Sequence, residues 1–355
     1  MPEGHTVHRL ARMLAELFGG QALAVTSPQG RFAAGAALVS GRVLVASEAW
    51  GKQLFLGFGP VPGGGAAVAA RPPEGPDREG GAPHDGAADL WLRVHLGLYG
   101  AWTFATDGTA AVVHAIGAPR RRVGDRESAP EPPASPTRPC EPGSAAWAVP
   151  EPRGAVRARL LGAHAVADLT GPSACEVVTA EQKAAVEAQL GPDPLRPDGG
   201  RGSLAAARAA FVDAVRGSRV AVGQQLLSQG VVAGVGNIYR AEALFRARLD
   251  PLRPGRDVDA GTLGALWDDL VGLMHDGAAT GAIVTTRPQD RTVMAPDPGR
   301  RRTRQNTDGT PGAVPADAAF YVYHRDGLPC RLCRTPVLTR QVAGRTLYWC
   351  GTCQR

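Results

Sequence analysis

The chain has 355 residues, 44% of them hydrophobic, so it can bury a full core, and its length favours two or three domains over one. A formal net charge of +6 favours a polyanionic partner, but charge alone does not separate nucleic acid from an anionic membrane or an acidic protein. No apolar run approaches the roughly 18 residues of a membrane span, and charges interrupt the N-terminus where a signal peptide needs its apolar stretch. We therefore expect a soluble, cytoplasmic protein.

Hydrophobic spacing predicts a leading helix followed by antiparallel strands. Residues 5–18 carry apolar side chains at helical spacing. From residue 21 to about 58, short β-branched runs are separated by Gly and Ser, and residues 89–105 alternate apolar with polar side chains, as half-buried strands do. Further strands are expected at 110–116 and 156–169.

Beyond Thr179 the hydrophobic period becomes helical, which predicts a second, all-helical domain. Two Pro/Gly-rich stretches, about 60–87 and 118–146, lack the apolar content to fold alone and are expected to be disordered surface insertions. The fold class is therefore α+β with several domains. The expected boundaries are 1–180 for the strand-rich domain, 181–286 for the helical domain, 287–317 for a flexible linker and 318–355 for a compact cysteine module.

Four of the six cysteines form two pairs near the C-terminus. Cys330, Cys333, Cys350 and Cys353 follow the spacing C-x2-C-x16-C-x2-C, which brings four thiolates around one tetrahedral zinc ion. The alternative is two disulfides, which an intracellular protein disfavours, and Gly344 suits the turn of a metal-bound hairpin. Four protein ligands leave no open position, so the predicted Zn²⁺ is structural.

A glycine-rich turn precedes the helix that begins near Asn237. Gly234 and Gly236 permit a tight turn, and Asn237 is expected at the N-cap. A helix N-terminus offers free amides to an anion, so together with Asn237 and Arg240 it could hold a DNA phosphate. A structural helix-turn-helix corner is the alternative. A dinucleotide-binding turn is disfavoured because the segment before it has a helical and not a strand pattern.

The sequence begins Met1-Pro2-Glu3-Gly4. Removal of Met1 would expose the secondary amine of Pro2, and an α-amino pKa of roughly 8 leaves part of it unprotonated at neutral pH. Attack of this amine on a sugar C1′ would give an iminium that promotes elimination of the neighbouring phosphate, with Glu3 available to shuttle protons. The alternative is that the tetrapeptide is merely a start sequence.

Together these segments resemble the formamidopyrimidine-DNA glycosylase and endonuclease VIII family. The resemblance covers the N-terminal tetrapeptide with its helix, WGKQLFLGF, VHLGLYGAW, QLLSQGVVAGVGNIYRAEALF, and YHRDGLPCRLC through GRTLYWCGTCQ, in the family's order. It implies an N-terminal β-sandwich, a helix-two-turns-helix domain and a C-terminal β-hairpin zinc finger, in a monomer that acts on damaged DNA. It also implies base excision by a bifunctional glycosylase and abasic-site lyase, through a Schiff base on the N-terminal proline and β,δ-elimination.

The resemblance assigns catalytic roles to Pro2, Glu3 and Lys52. Pro2 matches the nucleophile, Glu3 matches the acid that assists base release and later proton transfers, and Lys52 matches a lysine near the lesion sugar and phosphate. Only Lys52 and Lys183 are lysines among the 39 Lys and Arg residues, and a sequence rich in Arg keeps Lys where Arg cannot substitute. A solvated surface lysine is the alternative for Lys52.

The resemblance assigns DNA contacts to a further set of residues. Asn237 matches a phosphate-binding residue of the helical motif, with Arg240 beside it, and Arg345 matches the zinc-finger arginine that grips the phosphates flanking a flipped nucleotide. Leu98 and Tyr99 match the loop that fills the gap left by an extruded base, for which ordinary hairpin packing is the alternative.

Two departures from the family pattern leave the lesion preference open. Thr6 stands where familiar bacterial members carry Glu, and Gly97 stands where the endonuclease VIII type often has a polar gap-filler. The tyrosine-containing turn and HRDGLPC favour oxidised pyrimidines, with oxidised purines as the alternative. A non-catalytic DNA-binding zinc protein is the contrasting class. A Mg²⁺-dependent nuclease is disfavoured, because this sequence shows no clustered acidic motif near the proposed DNA face. His5 and His8 could form a metal pair, but a solvated helix face is favoured.

Overall fold

The computed structural model describes residues 2–61, 87–110, 115–117, 147–291, 313–315 and 317–355. Nearly all of the first predicted insertion, all of the second and most of the predicted linker lie outside the described residues.

The chain forms two compact units. The sheet unit comprises Met1–Pro2, Leu10–Ala49 and Gln53–Ala184. The helical unit comprises Glu3–Arg9, Trp50–Lys52 and Ala185–Arg355. Two short segments from the N-terminal part of the chain, which carry the predicted site residues Glu3 and Lys52, therefore belong with the C-terminal half.

The sheet unit contains two antiparallel sheets, and this β-sandwich confirms the predicted fold class. Helix α1 (Gly4–Phe18) leads into it, as its spacing predicts, with Leu10 and Leu14 fully buried. The strands run in the order β1-β7-β8-β5-β6 in one sheet and β2-β3-β4-β9 in the other. Their bounds are β1 (Ala24–Thr26), β2 (Val43–Trp50), β3 (Gln53–Gly59), β4 (Leu90–His95), β5 (Ala101–Thr106), β6 (Ala115–Gly117), β7 (Val156–Leu161), β8 (Ala165–Thr170) and β9 (Ala174–Thr179).

Three details of the sheet unit differ from the sequence prediction. Residues 33–39, expected among strands, form helix α2 (Ala33–Val39), because this Ala-rich segment has high helix propensity and buries Ala36 and Val39. At 110–116 the described residues show only β6, paired with β5, whereas 111–114 lie outside them. Strand β9, which was not predicted, pairs along the whole length of β4.

Lys183, the second lysine of the chain, lies in α3 (Ala180–Glu187) within the sheet unit. Its ammonium is 3.0 Å from the Glu48 carboxylate and 4.4 Å from the centre of the Trp91 ring. A compact ammonium suits both an ion pair and a cation–π contact, so the local packing accounts for this lysine.

The described part of the helical unit contains four further α-helices, two of which, α4 and α7, have recognisable caps. The Ser203 side chain accepts from the Ala206 amide, the Asp259 side chain accepts from the Thr262 amide, and Gly281 ends the last helix with φ +78°. No helix among the described residues is both long and apolar enough to cross a bilayer. The bounds are α4 (Leu204–Arg216), α5 (Val222–Gln225), α6 (Asn237–Arg246) and α7 (Ala260–Thr280).

Helix α6 is shared by two hydrophobic clusters of the helical unit. Tyr239 and Leu244 pack into the cluster formed with α4 and α7, whereas Ala241 and Phe245 pack into the cluster of the cysteine module. Phe245 stacks on Tyr321 with ring centres 4.8 Å apart. The helical region and the cysteine module therefore have a common buried helix.

The cysteine module carries the predicted hairpin, β10 (Leu338–Val342) and β11 (Arg345–Trp349). The two residues of its turn, Ala343 and Gly344, have φ +50° and +71°. Positive φ at both positions is the signature of the type I′ turn, whose twist matches that of the strands.

Candidate active site and metal centre

Glu3 lies fully buried at the N-terminus of α6. Its carboxylate accepts hydrogen bonds from the backbone amides of Gly236 and Ile238, each at 2.8 Å, and of Tyr239 at 3.4 Å. The unpaired amides and the dipole of a helix N-terminus favour a negative charge at this position. The prediction of free amides for a DNA phosphate is therefore wrong for Gly236, Ile238 and Tyr239, whose amides Glu3 occupies.

Gly236, and not Asn237, is the N-cap residue of α6. A Cβ at Gly236 would lie 2.4 Å from the Glu3 carboxyl carbon, so the close approach of Glu3 requires glycine. Gly234 has φ +89°, and its carbonyl accepts from the Gly4 amide at 2.8 Å. The glycine-rich turn thus receives the N-terminal segment of the chain.

Pro2 is buried and directly precedes this anchored segment. On its C-terminal side the chain is fixed by the Glu3 carboxylate and by the hydrogen bond from the Gly4 amide. The predicted nucleophile is therefore attached to a backbone with several fixed contacts.

Lys52 lies in the turn between β2 and β3, and its Nζ donates to the Val235 carbonyl at 2.8 Å. Burial lowers the pKa of Lys52, Glu3 acts to raise it, and Arg345 lowers it further. The side chain is half-buried, which disfavours the alternative of a solvated surface lysine.

Asn237 and Arg240, one turn apart in α6, both reach the Thr346 carbonyl in β11. Asn237 Nδ2 and Arg240 Nη2 each donate to it at 3.0 Å, and Arg240 also donates to Asn237 Oδ1. Arg240 is fully buried. This position suits support of Asn237 and of the hairpin, and not the direct phosphate contact that the sequence suggested for Arg240.

Lys52, Arg240 and Arg345 are here termed the basic cluster, because Lys52 and Arg240 each lie within electrostatic range of both Arg345 and Glu3. Burial and then the neighbouring Arg345 lower the pKa of Arg240 to about 10. Arg345 is exposed at the start of β11. The three cations of the cluster outnumber the one carboxylate, and the resulting positive potential suits an anionic ligand.

The four predicted zinc ligands come together in the helical unit. Their sulfur atoms lie within 4.8 Å of one another, with Cys330 and Cys353 3.9 Å apart and Cys333 and Cys350 3.4 Å apart. All four are free thiols. Zn–S bonds of about 2.3 Å in a tetrahedron separate the sulfurs by roughly 3.8 Å, so these residues fit one metal ion. The described part of the chain contains no second group of this kind.

Comparisons with known proteins support the family that the sequence motifs suggested. Residues 190–289 match the formamidopyrimidine-DNA glycosylase H2TH domain. Endonuclease 8 1 of Mycobacterium tuberculosis is 36% identical over 359 residues, and the alignment covers 100% of both chains. The chain belongs to the formamidopyrimidine-DNA glycosylase and endonuclease VIII family. It is a DNA repair glycosylase of this family. The chain is also 37% identical over 166 residues to the formamidopyrimidine-DNA glycosylase of Thermus thermophilus, and this alignment covers 47% of this chain and 54% of that one.

Solved structures agree with this family assignment. The MutM (Fpg) protein of Thermus thermophilus matches with a TM-score of 0.61 and 25% identity, covering 99% of this chain and 98% of that chain. Lactococcus lactis Fpg, solved with abasic-site-containing DNA, matches with a TM-score of 0.60 and 17% identity over 99% of both chains. At the latter identity the likeness concerns the fold alone.

The two wedge residues predicted for this glycosylase, Leu98 and Tyr99, lie in the sheet unit between β4 and β5. They are 47% and 54% exposed, which disfavours the alternative that they are ordinary packed hairpin residues. Gly97 before them has φ +64°, and its amide donates to His95 Nδ1 at 3.2 Å. A fixed backbone therefore presents two exposed apolar side chains.

The prediction that His5 and His8 form a solvated helix face is wrong. His5 is buried edge-on against the Tyr239 ring, and burial lowers its pKa to about 3. His8 is half-buried, and its Nε2 lies 2.8 Å from Asp193 Oδ2. Both side chains face protein because the first two turns of α1 belong to the helical unit.

Sequence reasoning missed two buried carboxylates of the glycosylase, those of Asp193 and Glu242. Glu242 accepts from the amides of Tyr321, Val322 and Tyr323 at 2.7–2.8 Å, so it ties α6 to the chain before Cys330. A lone acid on the apolar face of α6 was the available signal for Glu242. Asp193 stands between two prolines and gave no comparable signal.

Proposed function

We propose that this glycosylase is bifunctional, removing oxidised bases, with pyrimidines favoured, and cleaving the abasic site through a Schiff base on Pro2 and β,δ-elimination. The supporting observation is the arrangement at the start of α6. Glu3, adjacent to Pro2 in the chain, is anchored there by three backbone amides, within electrostatic range of Lys52 and Arg240.

In the proposed reaction the amine of Pro2, exposed by removal of Met1, forms a bond to C1′ while the bond from C1′ to the base breaks. The base leaves with the bonding electrons and takes up a proton. Loss of the amine proton and opening of the C1′–O4′ bond, with protonation of O4′, give the iminium. Glu3 is proposed to serve these proton transfers.

The iminium then withdraws electrons from the sugar. In β-elimination a proton leaves C2′ and the C3′–O bond breaks with its electrons on the phosphate oxygen. In δ-elimination a proton leaves C4′ and the C5′–O bond breaks in the same way. Water finally hydrolyses the Schiff base and regenerates the amine.

Phosphate binding is proposed for Asn237 and Arg345, and a catalytic role near the lesion sugar and phosphate is proposed for Lys52. The exposed guanidinium of Arg345 suits bidentate contacts to phosphate oxygens. Buried Arg240 is proposed to act through its hydrogen bond to Asn237. Leu98 and Tyr99 are proposed to fill the gap of an extruded nucleotide, because an inserted side chain offsets part of the unstacking cost.

One structural Zn²⁺ is proposed for Cys330, Cys333, Cys350 and Cys353. When bound, it would stabilise the module that contains the β10–β11 hairpin, and thereby Arg345 and the Thr346 carbonyl. The proposed DNA contact of the hairpin depends on this module, whereas the chemistry at the sugar does not use the metal.

Borohydride trapping on an abasic-site duplex tests the proposed chemistry, because reduction of the iminium leaves a stable protein–DNA adduct. We expect wild type and Pro28→Gly, a control at an exposed proline, to form the adduct. Pro2→Gly should lose most of it, and the intact mass of wild type should lack one methionine. No adduct from wild type, or undiminished trapping by Pro2→Gly together with loss in Lys52→Met, would refute the N-terminal mechanism.

The preferred base is tested separately with matched duplexes. Faster excision of an oxidised pyrimidine than of an oxidised purine supports the pyrimidine preference, and the reverse order supports the alternative of an oxidised-purine glycosylase. Tight binding of damaged DNA with neither excision nor an adduct would identify a non-catalytic binding protein instead.

A further inference from the structure

Asp193 is a fully buried carboxylate with three hydrogen-bond donors and no role in the proposed chemistry. Its Oδ2 accepts from the Gly51 amide at 2.6 Å and lies 2.8 Å from His8 Nε2. Its Oδ1 accepts from the Leu195 amide at 2.9 Å. One side chain thus joins three stretches of the helical unit that are distant in sequence.

Two of these stretches carry proposed active-site residues. Gly51 directly precedes Lys52, and His8 lies in the same short segment as Glu3. The Gly51 backbone also presses against the loop before α6, since a Cβ at Gly51 would lie 2.8 Å from the Gly234 nitrogen. The turn that carries Lys52 is therefore held on one side by Asp193 and on the other by the glycine-rich loop.

The chemistry of the pocket around Asp193 favours the ionised carboxylate. Burial by itself would raise the pKa of Asp193, but the facing His8 and the amides of Gly51 and Leu195 together lower it. A buried acceptor with charge and three donors is a stiff connection, because any one bond that breaks leaves an unsatisfied buried group.

We infer that Asp193 is a positioning residue of this glycosylase, which places Lys52 through the Gly51 amide and holds the N-terminal helical turn through His8. The inference rests on the proposed function for the task of Lys52. The hydrogen bonds themselves do not depend on that function.

Asp193→Asn is the direct test. It replaces one acceptor oxygen of the carboxylate by an NH2 group, which would face the hydrogen-bond donors that now bind Asp193. Asp198→Asn is the matched control: Asp198 also accepts a backbone amide two residues on, Gly200 at 2.9 Å, but its side chain is 47% exposed. Misplacement of a reacting group by about 1 Å costs on the order of 100-fold in rate.

The expected result is a split between rate and binding. With an abasic-site duplex, we expect Asp193→Asn to lower the single-turnover cleavage rate by about 10-fold to 100-fold, with the Kd for a tetrahydrofuran-containing duplex within about threefold of wild type. Asp198→Asn should match wild type in both measurements. Equal losses of rate and affinity, or an unchanged rate in a folded Asp193→Asn protein, would overturn the inference.

A double-mutant cycle tests whether the effect passes through Lys52. If it does, Asp193→Asn should slow cleavage little further in a Lys52→Met background. Multiplicative losses from the two substitutions would refute this route.

Hydrogen exchange separates the inference from the proposed function. If wild type forms no borohydride adduct, the proposed chemistry fails, but exchange at the Gly51 amide still reports on Asp193. We expect faster exchange there in Asp193→Asn and not in Asp198→Asn. If Asp193→Asn does not fold, His8→Gln, which removes one partner, should show a smaller increase, and unchanged exchange in that variant would overturn the role of the His8–Asp193 contact.

Discussion

The carboxylate of Glu3 accepts a hydrogen bond at 2.8 Å from the backbone amide of Ile238, in the first turn of α6. The two residues are 235 positions apart in sequence, so the start of the chain and the start of this helix behave as one structural piece. The acid beside the proposed nucleophile thus takes its position from the helical unit.

Glu3→Gln should slow excision of an oxidised base by at least about 100-fold, because the amide cannot transfer the protons. Its NH2 group would also face backbone donors, at a cost of about 1–3 kcal/mol in the free energy of unfolding. Single-turnover excision and urea denaturation measure the two effects. Glu16→Gln, at an exposed position of α1, is the control. Wild-type excision by Glu3→Gln would remove Glu3 from the proposed chemistry.

Arg345→Ala should weaken DNA binding on all sequences and reduce the slope of log K against log salt by about one unit. The reason is that one phosphate contact, with its counterion release, is lost. Affinity measured at several salt concentrations checks this, with Arg340→Ala on the neighbouring exposed strand as the control. An unchanged slope would place Arg345 outside the phosphate contacts.

Removal of the proposed zinc should unfold the cysteine module, because buried Cys330 and Cys350 would lose the metal ion that they share inside a small hydrophobic cluster. Cys333→Ser should lower the zinc content per chain and weaken DNA binding, whereas Cys175→Ser, at a free cysteine in β9, should leave both unchanged. Metal analysis and binding assays test this. Full zinc content in Cys333→Ser would contradict the ligand assignment.

His5 should make the fold less stable in acid. Its folded pKa of about 3 lies below the ordinary value of 6.5, so the unfolded chain binds the proton first as the pH falls. The contribution of unprotonated His5 to the free energy of unfolding is complete above pH 6.5. It is lost at up to about 1.4 kcal/mol per pH unit as the pH falls toward 3. Urea denaturation across this range should show a shallower pH dependence for His5→Gln than for wild type or for the exposed control His164→Gln. Equal pH dependence in all three would show that folding does not lower the pKa of His5.

The sequence predicted those features that depend on local pattern. The spacing of the four cysteines and the glycine of the turn predicted the terminal module, a short apolar run predicted β3, and alternation predicted the stretch that contains β4 and β5. Residues 33–39 were mistaken for strand because the apolar side chains of α2 are few and small.

The partners of buried charges could not be predicted in the same way. Glu3, Asp193 and Glu242 bind mainly backbone amides, which every residue type offers, so no pattern of side chains marks them. For the same reason Asn237 was mistaken for the N-cap, since the acceptor that satisfies the amides of α6 comes from the other end of the chain.

The Glu242 carboxylate makes α6 part of the folded cysteine module, although α6 lies outside residues 318–355 in the sequence. A peptide cut out at residue 317 would keep all four cysteines but lose Ala241, Phe245 and the Glu242 acceptor, and with them part of its core. Such a peptide should bind zinc more weakly than the intact protein does, because metal affinity in a small module includes its folding free energy. A segment moved into another protein to supply this zinc site should therefore contain α6 as well as the four cysteines.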